Sequence, residues 1–323
     1  MSSPKTKRSP WFWIPSLYFA EGLPYVVVMT VSVIMYKRLG VSNTEIALYT
    51  SWLYLPWVIK PLWSPLVDIL KTKRHWIIAM QLLVGAGLAG VALTLPLDNF
   101  LRYSLAFLWL LAFSSATHDI AADGFYMLGL SQHKQAWFVG VRSTFYRLAM
   151  ITGQGLLVML AGYIEAVAGD LTRAWTVTFY VLAGLFVLFF LYHQWALPRP
   201  PADMPRSHNG IADIFREFGH TFLSFFKKQH IVPALAFLLL FRFAEAQLAK
   251  MASPFLLDAA EAGGLGLSTS QVGFVYGTVG VLMLTLGGIL GGVLAARHGL
   301  KFWLWWMVAA INLPNAVYIF LAT

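Results

Sequence analysis

Ala116-Thr117-His118-Asp119-Ile120-Ala121-Ala122-Asp123-Gly124-Phe125-Tyr126 sets a histidine and two aspartates inside an apolar run long enough to cross a membrane. Asp119 and Asp123 stand four residues apart, and on a helix that spacing puts both carboxylates on one face. Charge at membrane depth is costly, so groups kept there mark pathways, proton relays or binding sites. Two carboxylates on one face repel when both are ionised, and a proton shared between them relieves the pair. The stretch therefore reads as a proton-handling site in a polytopic membrane protein. The alternative is a structural pair bonded to neighbouring helices.

Composition supports the same class. Of 323 residues, 59% are hydrophobic and 11% charged, which excludes a soluble domain with a polar surface. Apolar stretches of about 20 residues recur between short polar breaks. No small-residue cleavage site follows the first of them, so it is expected to be retained. With 0 cysteines the chain offers no disulfide, thiolate metal site or cysteine nucleophile. The net charge of +9 arises from 23 basic and 14 acidic residues. The bases cluster in the breaks, so topology explains them better than nucleic acid does.

Nine spans are expected in an all-α protein. Span 1 covers about Trp11 to Tyr36 and holds Glu21-Gly22-Leu23-Pro24, where proline removes a backbone donor. Span 2, about Thr44 to Val67, is opened by Ser42-Asn43-Thr44-Glu45, a capping box. Spans 3 to 6 lie near Trp76 to Pro96, Leu101 to Leu130, Ala136 to Tyr163 and Arg173 to Leu197. Residues 198–229 mix prolines, acids and bases, and read as a cytoplasmic linker with an amphipathic helix near Ile211 to Phe226. Spans 7 to 9 follow near His230 to Leu257, Ser270 to Ala296 and Phe302 to Leu321. One set of alternate loops carries Lys5, Lys7, Arg8, Lys71, Lys73, Arg74, Lys134, the linker bases, Arg297 and Lys301, and the other only Lys37, Arg38, Arg102 and Arg173. The basic side is expected to be cytoplasmic, with the N-terminus on it.

Three segments recur in order. Phe19-Ala20-Glu21-Gly22 matches Phe243-Ala244-Glu245-Ala246, Gly40-Val41-Ser42-Asn43-Thr44-Glu45-Ile46 matches Gly266-Leu267-Ser268-Thr269-Ser270-Gln271-Val272, and Ser64-Pro65-Leu66-Val67-Asp68 matches Gly292-Val293-Leu294-Ala295-Ala296. The ordered matches argue for two related halves: a six-span half over 1–197, the linker over 198–229, and a second half over 230–323. This arrangement resembles the major facilitator architecture. Three further spans would complete its second half, so the sequence is expected to be a fragment or a truncated reading frame.

Glu21 and Glu245 take equivalent places in the two halves and join Asp119 and Asp123 as proton-coupling candidates. Lys60, Arg142, Arg147 and Arg242 lie in or near spans, where they would pair with acids or hold an anionic substrate. His118 is a further candidate substrate contact. A lone histidine is more often a hydrogen-bonded packing residue, and no second one stands at metal spacing, so no metal or other cofactor is expected. Asp68, with Lys71, Lys73 and Arg74 after it, resembles the conformational loop between helices 2 and 3 of major facilitators. Most of the aromatics, 13 Trp among them, suit lipid contact and interfacial anchoring.

Glu21-Gly22-Leu23-Pro24, Lys60-Pro61-Leu62-Trp63-Ser64-Pro65-Leu66-Val67-Asp68 and Ala116 to Gly124 are similar to the branch of that superfamily containing AmpG-type muropeptide permeases and acetyl-coenzyme A transporters. The chain departs from that pattern at His118, where the branch usually has glutamine, and at Ser64-Pro65, which replaces a motif glycine. The resemblance implies a monomeric, proton-driven importer of anhydro-muropeptides in the bacterial inner membrane, with protons, a small anionic substrate and lipid as partners and no nucleic acid. Transport of an acyl-coenzyme A or another organic anion is the nearest alternative. A polytopic enzyme using His118, Asp119 and Asp123 is another, although the chain has no nucleophile elbow or zinc-type histidine motif.

Overall fold

The computed structural model describes residues 8–205, 216, 219–220, 223–224, 226–241, 243–298 and 300–321. The expected surface helix at Ile211 to Phe226 falls largely outside these residues, as does Arg242. Among the described residues there is no strand. The chain forms two compact units, Met1–Arg206 with Ser268–Val281, and Ser207–Leu267 with Leu282–Thr323.

Among the described residues, five helical stretches are long and apolar enough to cross a membrane: Pro10–Arg38, Lys73–Thr94, Phe100–Gly129, Gln132–Ala168 and Leu171–Ala196. They occupy the places expected for spans 1, 3, 4, 5 and 6. The first is α1 (Ile14–Val26), a π turn (Val27–Val31) and α2 (Ser32–Arg38). On α1, Ile14, Leu17, Tyr18 and Glu21 are buried at helical spacing, and Ala20, Gly22, Leu23, Pro24 and Val26 are buried with them. That burial makes α1 the centre of its unit, packed by α7 (Phe100–Gly129) and α8 (Gln132–Ile151).

Span 2 is not one helix. It runs as α3 (Asn43–Ser51), a 3-10 turn (Trp52–Tyr54), α4 (Leu55–Ile59), a second 3-10 turn (Lys60–Leu62) and α5 (Ser64–Leu70). Pro56, Pro61 and Pro65 explain the breaks, because each lacks an amide proton and crowds the preceding turn. Lys60 consequently sits at an interruption, beside α7.

The remaining long elements are α6 (Lys73–Thr94), α7 (Phe100–Gly129), α8 (Gln132–Ile151), a π turn (Thr152–Leu157), α9 (Val158–Ala168) and α10 (Leu171–Ala196). Thr72 caps α6 by accepting from the His75 amide at 3.1 Å, and Asp170 caps α10 by accepting from Arg173 at 3.0 Å. A buried cluster of Trp13, Leu17, Ile77, Ala121, Phe125 and Ala196 binds α1, α6, α7 and α10 together.

Helices α11 (Ile231–Leu240), α12 (Phe243–Leu257), α13 (Thr269–Phe274), α14 (Val281–His298), α15 (Leu300–Asn312) and α16 (Ala316–Leu321) fill the stretches expected for spans 7 to 9. Within the second unit Asn312 donates to the Phe241 carbonyl at 3.2 Å, and the Phe255 and Tyr318 rings meet edge to face at 5.6 Å. In the first unit α13 and its π turn (Val275–Gly280) pack on α9 and the Thr152–Leu157 π turn.

One pair of the recurring segments has the same local geometry. Gly40 and Gly266 both take left-handed φ, +84° and +62°. Each is followed by a reciprocal capping box, Ser42 with Glu45 and Ser268 with Gln271.

Candidate functional site

Four elements carry the charged groups of the first unit to one place. Helix α7 presents Asp119, Asp123 and Tyr126 at i, i+4 and i+7, on one face. From α1 come Tyr18 and Glu21, from α8 Arg142 and Tyr146, and from the break in span 2 Lys60. Carboxylate oxygens of Glu21, Asp119 and Asp123 lie within 4.8 Å of one another.

Each aspartate has a cation. Lys60 Nζ donates to Asp119 Oδ2 at 2.5 Å. The Arg142 guanidinium lies 2.9 Å from Asp123 Oδ1, which also accepts from the Tyr18 hydroxyl at 3.2 Å. Arg142 also lies against two rings, its Cζ 4.6 Å from the Tyr18 ring centre and 5.4 Å from that of Tyr126. Trp63 Nε1 donates to Thr117 Oγ1 at 3.2 Å, tying the broken span to α7 two residues before Asp119.

Glu21 is different. It is 7% exposed, and its Oε2 is buried without a hydrogen-bond partner. Three carboxylates thus face two cations, and the uncompensated one is the deepest. Gly22 lets α1 approach α8 closely enough for this, since a Cβ there would lie 2.9 Å from that of Ala149 and 3.0 Å from the Tyr146 carbonyl oxygen. Tyr146 is near enough to Glu21 and Asp119 to feel their charge. The three carboxylates have the spacing of a metal-ligand group, but an ion there would compete with Lys60 and Arg142.

The other candidates lie elsewhere. His118 is buried on a different face of α7, where the Gln81 amide nitrogen lies 3.0 Å from its Nε2 and 2.8 Å from His193 Nδ1. The chain of contacts continues from His193 Nε2 to Ser16 Oγ at 2.9 Å and joins α1, α6, α7 and α10. Arg147 is exposed on α8. Glu245 lies in the first turn of α12, in the second unit. Asp68 pairs with Lys73, while Lys71 is exposed and Arg74 donates to the carbonyls of Leu197, at 3.3 Å, and Gln194.

Sequence reasoning missed Tyr18, Tyr126 and Tyr146, which read as ordinary membrane aromatics. It also missed Asp203, whose carboxylate accepts from the backbone amides of Lys73 at 2.6 Å and Arg74 at 3.0 Å. An i, i+3 relation of Tyr18 to Glu21 was the available signal for the first; an acid in a mixed-charge linker gave none for the last.

The chain is similar to known proteins along most of its length. The transporter AmpG 4 of Rickettsia conorii is 26% identical over 303 residues, covering 89% of this chain and 68% of its own. The anhydromuropeptide permease of Escherichia coli K12 is 26% identical over 299 residues, covering 88% of this chain and 55% of its own. This chain therefore spans between about half and two thirds of those relatives. A bacterial homolog to the human lysosomal transporter Spinster, solved in an inward-facing and unoccupied conformation, superposes with a TM-score of 0.63 at 18% identity, covering 91% of this chain and 64% of the other. That likeness concerns the fold. The family model described as Major Facilitator Superfamily matches residues 16–323, and so the chain belongs to that superfamily, among membrane transporters rather than enzymes.

Proposed function

We propose that the chain forms the charged core of a proton-coupled transporter that imports anionic sugar-peptides of the anhydromuropeptide class across the bacterial inner membrane, its N-terminus cytoplasmic. The observation that carries this reading is the cluster of three carboxylates and two cations, with Glu21 buried and unpartnered inside it. A lone carboxylate at that depth is strongly disfavoured, and a proton neutralises it without a counter-ion. Glu21 is therefore the first proton site, and Asp119 and Asp123 are the next.

Lys60 and Arg142 supply the substrate side. Both are about a third exposed and held by aspartates. An anionic group of the solute competes with Asp119 or Asp123 for its cation, and the displaced carboxylate becomes the acceptor for a proton. Anion and proton then enter together, because binding of one creates the site for the other. The fork of Arg142 suits a carboxylate or phosphate. Glu245, Arg147 and Arg242 are assigned supporting roles in holding protons or substrate, and Asp68 with Lys71 and Arg74 a role in switching conformation. The names of the Rickettsia and Escherichia relatives favour wall fragments over other anions.

Uptake into proteoliposomes tests the reading. With an imposed gradient, acid outside, a labelled anhydromuropeptide should accumulate; a protonophore should abolish accumulation, and unlabelled wall fragment should compete where a coenzyme A ester does not. Absence of gradient-dependent uptake, or stronger competition by the coenzyme A ester, would overturn it.

A further inference from the structure

We propose that the end of the first unit where α6 begins and α10 ends binds the phosphate headgroup of an anionic phospholipid, through Arg8, Arg74 and Arg199. Three separate chain segments bring these arginines together. The Arg8 guanidinium lies over the Trp195 ring, 4.6 Å from its centre. Arg74 reaches the Leu197 carbonyl at 3.3 Å and that of Gln194 at the end of α10. Arg199 follows two residues later, and both it and Arg8 are close enough to act electrostatically on Arg74.

The nearby carboxylate, Asp203, is engaged in capping α6 through the amides of Lys73 and Arg74, and Lys73 Nζ is held by Asp68. One acid among three guanidiniums leaves positive charge in excess, and a bound anion would offset the repulsion. Phosphate oxygens match the guanidinium fork in geometry.

The surroundings point to lipid as the source of that phosphate. Trp11, Trp137 and Trp195 are each more than half exposed at this end. Trp11 packs edge to face on Trp137 at 5.6 Å and Phe12 on Trp195 at 6.3 Å, and the Tyr192 hydroxyl donates to the Phe12 carbonyl at 2.5 Å. Exposed indole rings of this kind mark headgroup depth. Basic clusters at that depth, beside helix ends, attract anionic headgroups. Acyl chains would lie against the exposed rings while the phosphate meets the arginines. None of this depends on what the transporter carries.

The full chain, purified in neutral detergent, is titrated with phosphatidylglycerol, phosphatidylcholine and inorganic phosphate, and read by native mass spectrometry and thermal unfolding. Phosphatidylglycerol should bind and raise the unfolding midpoint, whereas phosphatidylcholine and inorganic phosphate should not. An Arg8→Gln/Arg199→Gln variant, which spares the α10 contacts of Arg74, should bind phosphatidylglycerol about 30-fold more weakly, at about 5-fold per arginine. Arg102→Gln, in α7, should bind as the unaltered chain does. Equal binding by the double variant, equal loss in Arg102→Gln, or a matching effect of phosphatidylcholine would overturn the proposal. Inorganic phosphate acting as well as the lipid would overturn it in favour of a soluble anion site.

Discussion

Glu21, Asp119 and Asp123 share a site, but only the aspartates stand against a cation, and substitution should separate them. Glu21→Gln keeps the shape and removes a charge that no direct ion pair compensates. Thermal stability should hold or rise, while gradient-driven accumulation falls roughly 100-fold, the scale on which a positioned proton acceptor contributes. Asp119→Asn removes half of an ion pair and strands Lys60, so stability should fall by about 1–3 kcal/mol, and Lys60→Met in the same chain should restore part of it. Thermal unfolding beside uptake measures both. A loss of stability in Glu21→Gln equal to that in Asp119→Asn would mean that Glu21 is a packing residue. At this scale the sequence is legible where charge interrupts an apolar run, as at Asp119, Asp123, Glu21 and Lys60. Partners were not legible. Lys60 and Asp119 are 59 positions apart, and only the packing of the broken span on α7 brings them to 2.5 Å. Asp203 was hidden for the opposite reason, because an acid in a polar linker is unremarkable until its backbone partners are seen.

Among elements, the prolines of span 2 were legible as weak points, but the number of pieces was not, since a proline can kink a helix or end it. The three π turns left no mark in the sequence. Val27–Val31 is an ordinary apolar run, while Thr152–Leu157 and Val275–Gly280 each carry two glycines, which do not specify a π turn, and the first and third each pack on the second. Their backbones touch at Gly155 and Gly277, where a Cβ on Gly155 would lie 2.8 Å from the Gly277 Cα. Backbone cannot step aside as a side-chain tip can, so Gly155→Val should destabilise by about 1–3 kcal/mol or more. Gly184, within α10, has open space where its Cβ would be, and Gly184→Ala should be neutral or gain up to about 1 kcal/mol from helix propensity. Thermal unfolding of the two variants side by side checks this. Equal effects would mean that the glycine contact contributes nothing.

For the whole molecule, the asymmetry of Lys and Arg between alternate loops predicts one cytoplasmic end, and the first unit sorts its charges the same way without reference to a membrane. Arg8, Arg74 and Arg199 converge where α6 begins and α10 ends. Arg38 lies instead at the end of α2, paired with Glu165 of α9, which also accepts from Thr269 at 2.9 Å, and Asp170 and Arg173 stand at the opposite end of α10. The two sets of loops are thus two ends of one bundle, as a spanning topology requires. Because the chain has 0 cysteines, any introduced cysteine is its sole thiol. Arg173→Cys should react with a membrane-impermeant maleimide on intact cells, and Lys71→Cys, exposed beside the basic end, only after the membrane is permeabilised. The reverse pattern would turn the protein over and place the phospholipid site in the outer leaflet. Labelling of both in intact cells would mean that these loops do not lie on opposite sides of a bilayer, and a proton gradient would then have nothing to act across at Glu21.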